Sequence, residues 1–243
     1  MLAKCRGIVI SSVPYSESSV VLKCYTDLFG LQSYMVSGLR GKKASIKPSH
    51  LLPLSLLELE VYHQQSKNLQ RIKELKCVPV LNTIHFNLTK QTIAMFMAEL
   101  VGKILREDNQ QDAKLFEFLF SSVQIVDLFE NNLANFPVFF MIQLSKHLGF
   151  SPKNNFSGES PDFSLAEGVF IKDSPNTQDY CKGELGFAMH AIMNLDFDNL
   201  NTLKFTGATR KILLQRMIRY YQLHLMVFGD LKSPLVLHEI LSD

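Results

Sequence analysis

The fold class follows from a short stretch of the chain that reads Val20-Val-Leu-Lys-Cys-Tyr25. Its side chains alternate with a period of two, so Val20, Leu22 and Cys24 fall on one face of an extended strand and the other three fall on the opposite face. The same alternation, broken by turn residues, predicts five strands in the first eighty residues, at 6–13, 18–26, 31–37, 54–63 and 69–78. Five short strands in a segment of that length favour a small closed barrel, and the OB fold is the commonest barrel of five.

The hydrophobic period changes to that of a helix after Pro79. Apolar residues between Ile93 and Leu105 follow the i, i+3, i+4, i+7 series of an amphipathic helix. Similar patterns occupy residues 112–131, 135–148, 184–195 and 208–228. Residues 149–183 are polar and rich in turn signals, with one strand-like piece at 168–171.

These patterns predict an α+β chain of two domains. The first is a five-stranded OB-fold, nucleic-acid-binding domain at residues 1–80. The second is an all-α helical domain at 81–243, which contains a short irregular or β insert at 149–183.

Charge is distributed unevenly along the chain. The whole sequence has a formal net charge of +2. Residues 1–80 hold 11 basic and 5 acidic side chains, whereas residues 81–243 hold 14 and 18. Such an asymmetry points to a nucleic acid or an anionic surface as the partner of the basic part.

The strongest local signal is a basic loop that reads Gly38-Leu-Arg-Gly-Lys-Lys-Ala-Ser-Ile-Lys47. Four cations without an acid, between two strand-like runs, are typical of a segment that holds a phosphate backbone. The predicted DNA-binding residues are Arg40, Lys42, Lys43 and Lys47 in this loop, Lys23 and Tyr25 on one strand face, and Arg71 and Lys73 on the last strand. In the alternative interpretation the loop is a solvated hairpin tip, Tyr25 packs against a neighbouring element and Lys23 is solvated.

A second group of cations lies in the C-terminal helical pattern. Lys211, Gln215 and Arg219 are spaced at i, i+4 and i+8, and Arg210 and Arg216 flank them. This stripe could contact DNA or a partner peptide, or it could be a solvated helix face.

Motifs of catalysis and of metal binding are missing from the sequence. It contains no Walker A loop, no Gly-x-Gly-x-x-Gly, no Gly-x-Ser-x-Gly and no zinc or calcium ligand spacing. No secretory h-region or run of eighteen apolar residues is visible. We therefore expect no enzyme activity, no cofactor and no metal. Scattered cysteines, at positions Cys5, Cys24, Cys77 and Cys181, predict reduced thiols and a cytoplasmic protein.

Several segments in register resemble the RecO family of bacterial DNA-repair proteins. They are Gly7-Ile-Val-Ile, Pro14-Tyr-Ser-Glu-Ser-Ser-Val-Val-Leu, Tyr25-Thr-Asp-Leu-Phe-Gly-Leu31, the basic loop, Leu54-Ser-Leu-Leu-Glu-Leu-Glu-Val-Tyr62 and Leu231-Lys-Ser. The resemblance extends over nearly the whole chain and implies a recombination mediator. Members bind single- and double-stranded DNA, anneal complementary strands, cooperate with RecR in loading RecA, and bind the acidic, Phe-ended tail of SSB through the helical domain. It also implies a cytoplasmic, nucleoid-associated location.

The chain departs from that family pattern in its insert. Several members hold zinc there with four cysteines, whereas residues 149–186 of this chain contain Cys181 alone. We therefore predict that the zinc site is lost. Two alternatives remain open from the sequence: a protein-interaction adaptor that captures a peptide on its helical domain, and an OB-type RNA-binding factor.

Overall fold

The computed structural model describes residues 1–38, 46–106, 111–130, 133–159, 161–175 and 177–241. The chain forms two compact units, Met1–Leu128 and Phe129–Asp243. The first unit thus includes two helices beyond the barrel, because those helices pack on it. The domain boundary at residue 80 stays a prediction.

The first unit is built on a closed barrel of five strands in the order β1-β2-β3-β5-β4. All neighbouring strands are antiparallel except β3 and β5, which are parallel. The strands are β1 (Leu2–Ser16), β2 (Ser19–Thr26), β3 (Gly30–Ser37), β4 (Leu56–Tyr62) and β5 (Leu69–Cys77). This architecture confirms the predicted OB-like barrel, with a first strand that is longer at both ends than the sequence pattern indicated.

The barrel interior is filled by the inward side chains of the alternating strands. Leu22 and Cys24 of β2 pack with Leu57, Leu59 and Val61 of β4, and each is at most 2% exposed. Burying such side chains is the main favourable contribution to the folding of the barrel. A short 3₁₀ helix, Pro48–Leu51, contributes Leu51 to the same core.

Two helices complete the first unit, α1 (Leu88–Ile104) and α2 (Ala113–Leu128). The Asn87 side chain caps α1 by accepting a hydrogen bond from the backbone N–H of Lys90 at 3.1 Å. The carboxylate of Asp127 at the end of α2 accepts bonds from the backbone N–H groups of Asn82, Thr83 and Ile84, at 2.7 to 2.9 Å. The chain between barrel and α1 is therefore fixed to the end of α2.

The second unit combines four helices with a small sheet. The helices are α3 (Phe136–His147), α4 (Glu184–Met193), α5 (Gly207–His224) and α6 (Ser233–Ile240). Phe136, Phe139, Phe140, Tyr220 and Tyr221 form much of its core. Helix α6 was not predicted. None of the helices in the described ranges is long and apolar enough to cross a membrane.

The insert contains more regular structure than the sequence indicated. It forms a sheet in the order β7-β6-β8, from β6 (Asp162–Ser164), β7 (Val169–Ile171) and β8 (Tyr180–Cys181). Only the β7 region was predicted. The Asp162 carboxylate holds the sheet to its surroundings by accepting bonds from the Ser174 hydroxyl at 2.7 Å and from the Gly183 N–H at 3.3 Å.

Candidate nucleic-acid interface

The outer surface of the barrel has two faces with different charge patterns. The first, which we call the compensated face, lies across β1, β4 and β5. Opposite charges face each other at three of its cross-strand positions: Lys4 lies opposite Glu60, Arg6 opposite Glu58, and Glu58 opposite Lys76, whereas Glu60 also lies opposite Glu74. Opposite charges at such positions stabilise each other.

Direct ion pairs connect several of these residues. Lys73 Nζ lies 3.0 Å from Glu60 Oε1, and Lys76 Nζ lies 2.8 Å from Glu74 Oε1. These pairs leave little positive charge for an anionic ligand. Lys73, predicted as a DNA contact, thus belongs to the compensated face.

Arg6 links the same face to α2. Its Nε lies 3.1 Å from Asp27 Oδ2, its guanidinium also pairs with Glu117, and it lies over the rings of Phe116 and Phe120 at 5.1 and 5.2 Å. The hydrogen bond that it donates to Glu117, and then the one to Asp27, raise the pKa of Arg6. The guanidinium of Arg6 is thus engaged in contacts within the protein.

The second face, which we call the open face, lies across β2, β3 and the first half of β5. Lys23 lies opposite Ser11 and Ser33, and Arg71 lies opposite Met35. Arg71 is exposed and has no ion-pair partner among the residues that the structure describes. From the strand spacing and the rise per residue, the Cα atoms of Lys23 and Arg71 are about 12 Å apart. Two cations at that separation, on a half-exposed surface, suit a ligand with repeated negative charges.

Tyr25 does not offer a stacking surface, so this prediction from the sequence is wrong. The residue does lie on the outer side of β2, but it is only 2% exposed because α2 covers it. Its ring lies 5.9 Å from that of Phe116, and its hydroxyl donates to the backbone oxygen of Asp112 at 3.3 Å. Burial raises the pKa of Tyr25 to about 12.

The basic loop meets the described structure at Lys47. Arg40, Lys42 and Lys43 lie outside the described residues. Lys47 is exposed and lines a cavity of about 360 Å³ at the end of the barrel, together with Leu52, Val80 and Phe86. We call this the Lys47–Phe86 cavity. Phe86 carries no prediction from the sequence, although its position directly before the cap of α1 sets it apart from the helical pattern.

The second unit carries a separate groove of about 280 Å³ between α3, α5 and α6. Its apolar lining includes Pro137, Val138 and Leu214, and Lys211 lies exposed at its edge. We call this the α5 groove.

The other predicted cations of α5 differ in their surroundings. Arg210 also lines the groove, but its guanidinium donates to the backbone oxygens of Phe205 at 2.6 Å and of Leu241 at 2.5 Å, and burial lowers its pKa. Arg219 forms a two-pronged bond with Asp179, whose pKa is lowered by it. Arg216 is half-buried, and its Nε has no partner within the described ranges. Lys211 is therefore the cation of this group that is best placed for a ligand.

Two family models match the chain, Recombination protein O N terminal over residues 1–80 and Recombination protein O C terminal over residues 85–233. The chain belongs to the RecO family. DNA repair protein RecO of Flavobacterium psychrophilum is 34% identical to it over 245 residues, and the alignment covers 100% of both chains. The proteins of the same name from Flavobacterium johnsoniae and Azobacteroides pseudotrichonymphae are 33% and 31% identical, with at least 99% of each chain covered. RecO-family membership gives the chain a general role in DNA repair.

The insert of this chain does not have the cysteines of the four-cysteine zinc site that some RecO proteins carry there. Cys181 is the single cysteine there; it is fully buried, and burial raises its pKa to about 12. Within the described ranges, no three His, Cys, Asp or Glu side chains are grouped as a metal site requires. Cys181 is instead part of the apolar core beside Phe163, its cross-strand partner.

Proposed function

We propose that this RecO-family protein is a recombination mediator that binds single- and double-stranded DNA and anneals complementary strands. In this role it acts with RecR to help load RecA onto single strands coated with SSB. The observation that carries the proposal is the open face, a half-exposed barrel surface on which the cross-strand neighbours of Lys23 and Arg71 are not acidic.

DNA would be held from the open face to the basic loop. Lys23 and Arg71 would contact the backbone on the barrel surface, and Arg40, Lys42, Lys43 and Lys47 would extend the contact at its end. Lys73 and Tyr25 are not part of this proposal, because one is ion-paired with Glu60 and the other is buried under α2.

Annealing requires no chemical step in this mechanism. Two complementary strands repel each other through their phosphates, and a surface that neutralises phosphates on both strands removes that barrier. Base pairing then supplies the free energy. The protein needs neither a nucleotide cofactor nor a catalytic residue for this task.

The test is the annealing rate of dye-labelled complementary strands at 50 and 200 mM salt. We compare the wild type with the Arg40→Glu/Lys42→Glu/Lys43→Glu variant. The control variant is Lys153→Glu/Lys172→Glu/Lys204→Glu, which makes the same charge change at exposed positions of the second unit. We expect annealing that is sensitive to salt, is lost in the loop variant and is retained in the control. Wild-type protein that neither binds nor anneals DNA would refute the proposal.

The α5 groove favours a second activity, capture of the acidic, Phe-ended tail of SSB. An apolar groove suits the terminal aromatic ring, and Lys211 at its edge suits the acidic residues that precede it. This interaction would bring the protein to single strands that SSB already covers.

A labelled acidic peptide that ends in Phe tests this activity. Its affinity should fall several-fold in Lys211→Glu and stay unchanged in Lys153→Glu, an exposed lysine away from the groove. A peptide without the terminal Phe should bind weakly to all three proteins. Equal binding of both peptides would show that only charge is recognised, and would exclude the groove as the site.

A further inference from the structure

We propose that Phe86 is a stacking platform for a base of single-stranded DNA, and that Lys47 beside it holds the adjoining phosphate. This inference rests on the proposed function, DNA binding, and assigns a base-contacting residue that the sequence patterns did not reveal. Phe86 and Lys47 line the same cavity at the end of the barrel.

Phe86 is exposed to a degree that is unusual in this protein. Its side chain is 81% exposed, and of the 18 phenylalanines, all of which lie in the described ranges, Phe187 is the only other exposed one, at 57%. The Phe187 ring packs edge-on against that of Phe156 at 5.2 Å, whereas Phe86 has no aromatic partner among the described residues. Exposing a whole aromatic ring forfeits the burial that usually stabilises it, so a role outside the fold is indicated.

The sequence lacks the hydrophobic residue in α1 against which a residue at the position of Phe86 normally packs. Phe86 directly precedes Asn87, the cap of α1, and a hydrophobic residue there usually packs against the fourth residue of the helix. In this chain that residue is Gln91, whose side-chain amide donates to the backbone oxygen of His85 instead. The hydrophobic contact between residues 86 and 91, known as a hydrophobic staple, therefore does not form, and the Phe86 ring is available to a ligand.

The segment that carries Phe86 is nevertheless fixed on both sides. The backbone N–H of Phe86 donates to the Thr83 oxygen at 2.9 Å, and Thr83 is held by the carboxylate of Asp127. Ile84, two residues before Phe86, is fully buried. A ring presented on an anchored backbone loses little conformational freedom when a base stacks on it.

Charge and polarity around the cavity suit a nucleotide. Lys47 is exposed at its edge, and Arg40, Lys42 and Lys43 precede it in the sequence. The cavity also exposes Val80, at 68%, and the polar side chain of Asn82. An aromatic ring beside a cation is the arrangement by which single-stranded nucleic acid is bound without sequence preference, with the base on the ring and the phosphate on the charge.

The first test compares a thymidine oligonucleotide with an abasic strand of equal length. Because alanine removes the ring on which a base stacks, Phe86→Ala should weaken thymidine-strand binding on the order of tenfold. Its affinity for the abasic strand should not change. Phe187→Ala, the matched control, should bind both strands like the wild type. Equal loss on both strands, or no loss on either, would overturn the stacking site.

The second test uses the absence of tryptophan from the chain. Phe86→Trp introduces a single fluorophore that retains the ability to stack, and Phe187→Trp serves as its control. We expect thymidine strands to quench the fluorescence of the Phe86→Trp protein strongly while affinity is retained, and to leave that of the control unchanged. Salt-sensitive binding without quenching in Phe86→Trp would refute the stacking site while leaving the proposed function intact; a wild type that binds no DNA would refute both.

Discussion

The compensated face and the open face belong to the same barrel, yet they differ in the residues that lie opposite their cations. On the compensated face, Lys73 and Lys76 each lie within 3.0 Å of a glutamate oxygen. On the open face, Lys23 and Arg71 have serine and methionine opposite them instead of acids. The number of cations on a strand therefore says little about DNA binding until their cross-strand neighbours are known.

The difference arises from the acids on three strand positions. Glu58 lies between Arg6 and Lys76 in one cross-strand row, Glu60 lies opposite Lys4, and Glu74 forms an ion pair with Lys76. Each of these exposed ion pairs contributes little to stability, because solvent screens it. Their larger consequence is electrostatic, because they cancel the field that would attract a polyanion.

Removing the cations of the open face should have the largest effect on DNA binding, and removing cations of the compensated face is the control. Lys23→Ala/Arg71→Ala should weaken binding to a thymidine oligonucleotide on the order of tenfold and reduce the magnitude of the log–log salt slope by about 1.4, for two lost phosphate contacts. Lys4→Ala/Lys76→Ala removes the same charge from the compensated face and should change affinity by less than about twofold. Fluorescence anisotropy at several salt concentrations measures both. Equal losses would mean that the two faces do not differ.

Tyr25 should affect stability rather than DNA binding. Tyr25→Leu removes a buried ring that packs against Phe116 and should cost about 2 kcal/mol in the free energy of unfolding, measured with urea. Tyr62→Leu, at a position that is 48% exposed, should change it by less than about 0.5 kcal/mol. Oligonucleotide affinity should be unchanged in the folded Tyr25→Leu protein. Lost affinity at full stability would restore Tyr25 as a DNA contact.

Arg6 tests whether the compensated face has a structural role. Arg6→Ala should lower the free energy of unfolding by about 1 kcal/mol, because it loses two ion pairs and two ring contacts on a side chain that is 39% exposed. Arg71→Ala, the control on the open face, should leave stability unchanged. Urea titrations measure the stability of both variants. The affinity for DNA should fall in Arg71→Ala and stay nearly unchanged in Arg6→Ala.

Removing the ion-pair partner of a cation on the compensated face should have the smallest effect on DNA affinity. Glu60→Gln removes the partner of Lys73, so DNA affinity at 50 mM salt should rise by about two- to threefold and the salt slope should steepen by up to about 0.7. Glu159→Gln removes one exposed acid from the second unit and should change the affinity less. An unchanged affinity in Glu60→Gln would show that local ion pairing is not what separates the faces.

Much of the fold could be predicted from the sequence because long segments repeat their hydrophobic pattern. The five strands of the barrel and helices α1 to α5 each have enough residues for a period of 2 or 3.6 to be visible. Strands β6 and β8 have three and two residues, and α6 has eight. Segments that short carry almost no periodic signal, so their structure depends on tertiary contacts such as those of Asp162.

The candidate site was less predictable, for a physical reason. Alternation placed Lys23 and Tyr25 correctly on the outer face of β2, but it does not show what packs on that face, and α2 covers Tyr25. The alternation of side chains also does not show that Lys73 forms an ion pair with Glu60, because the register shifts at this point between β4 and β5. Phe86 was missed because a single aromatic residue in a turn has no pattern, although the polar Gln91 at the staple position was a signal.

The central claim, that cations of the open face and of the basic loop hold a phosphate backbone, is tested most directly by the salt dependence of oligonucleotide binding. If about six phosphates of a single strand are contacted, the log–log slope should be near −4. Affinity should then fall on the order of 250-fold between 50 and 200 mM salt. A nearly flat response would contradict the claim and would move the search for function to the α5 groove of the second unit.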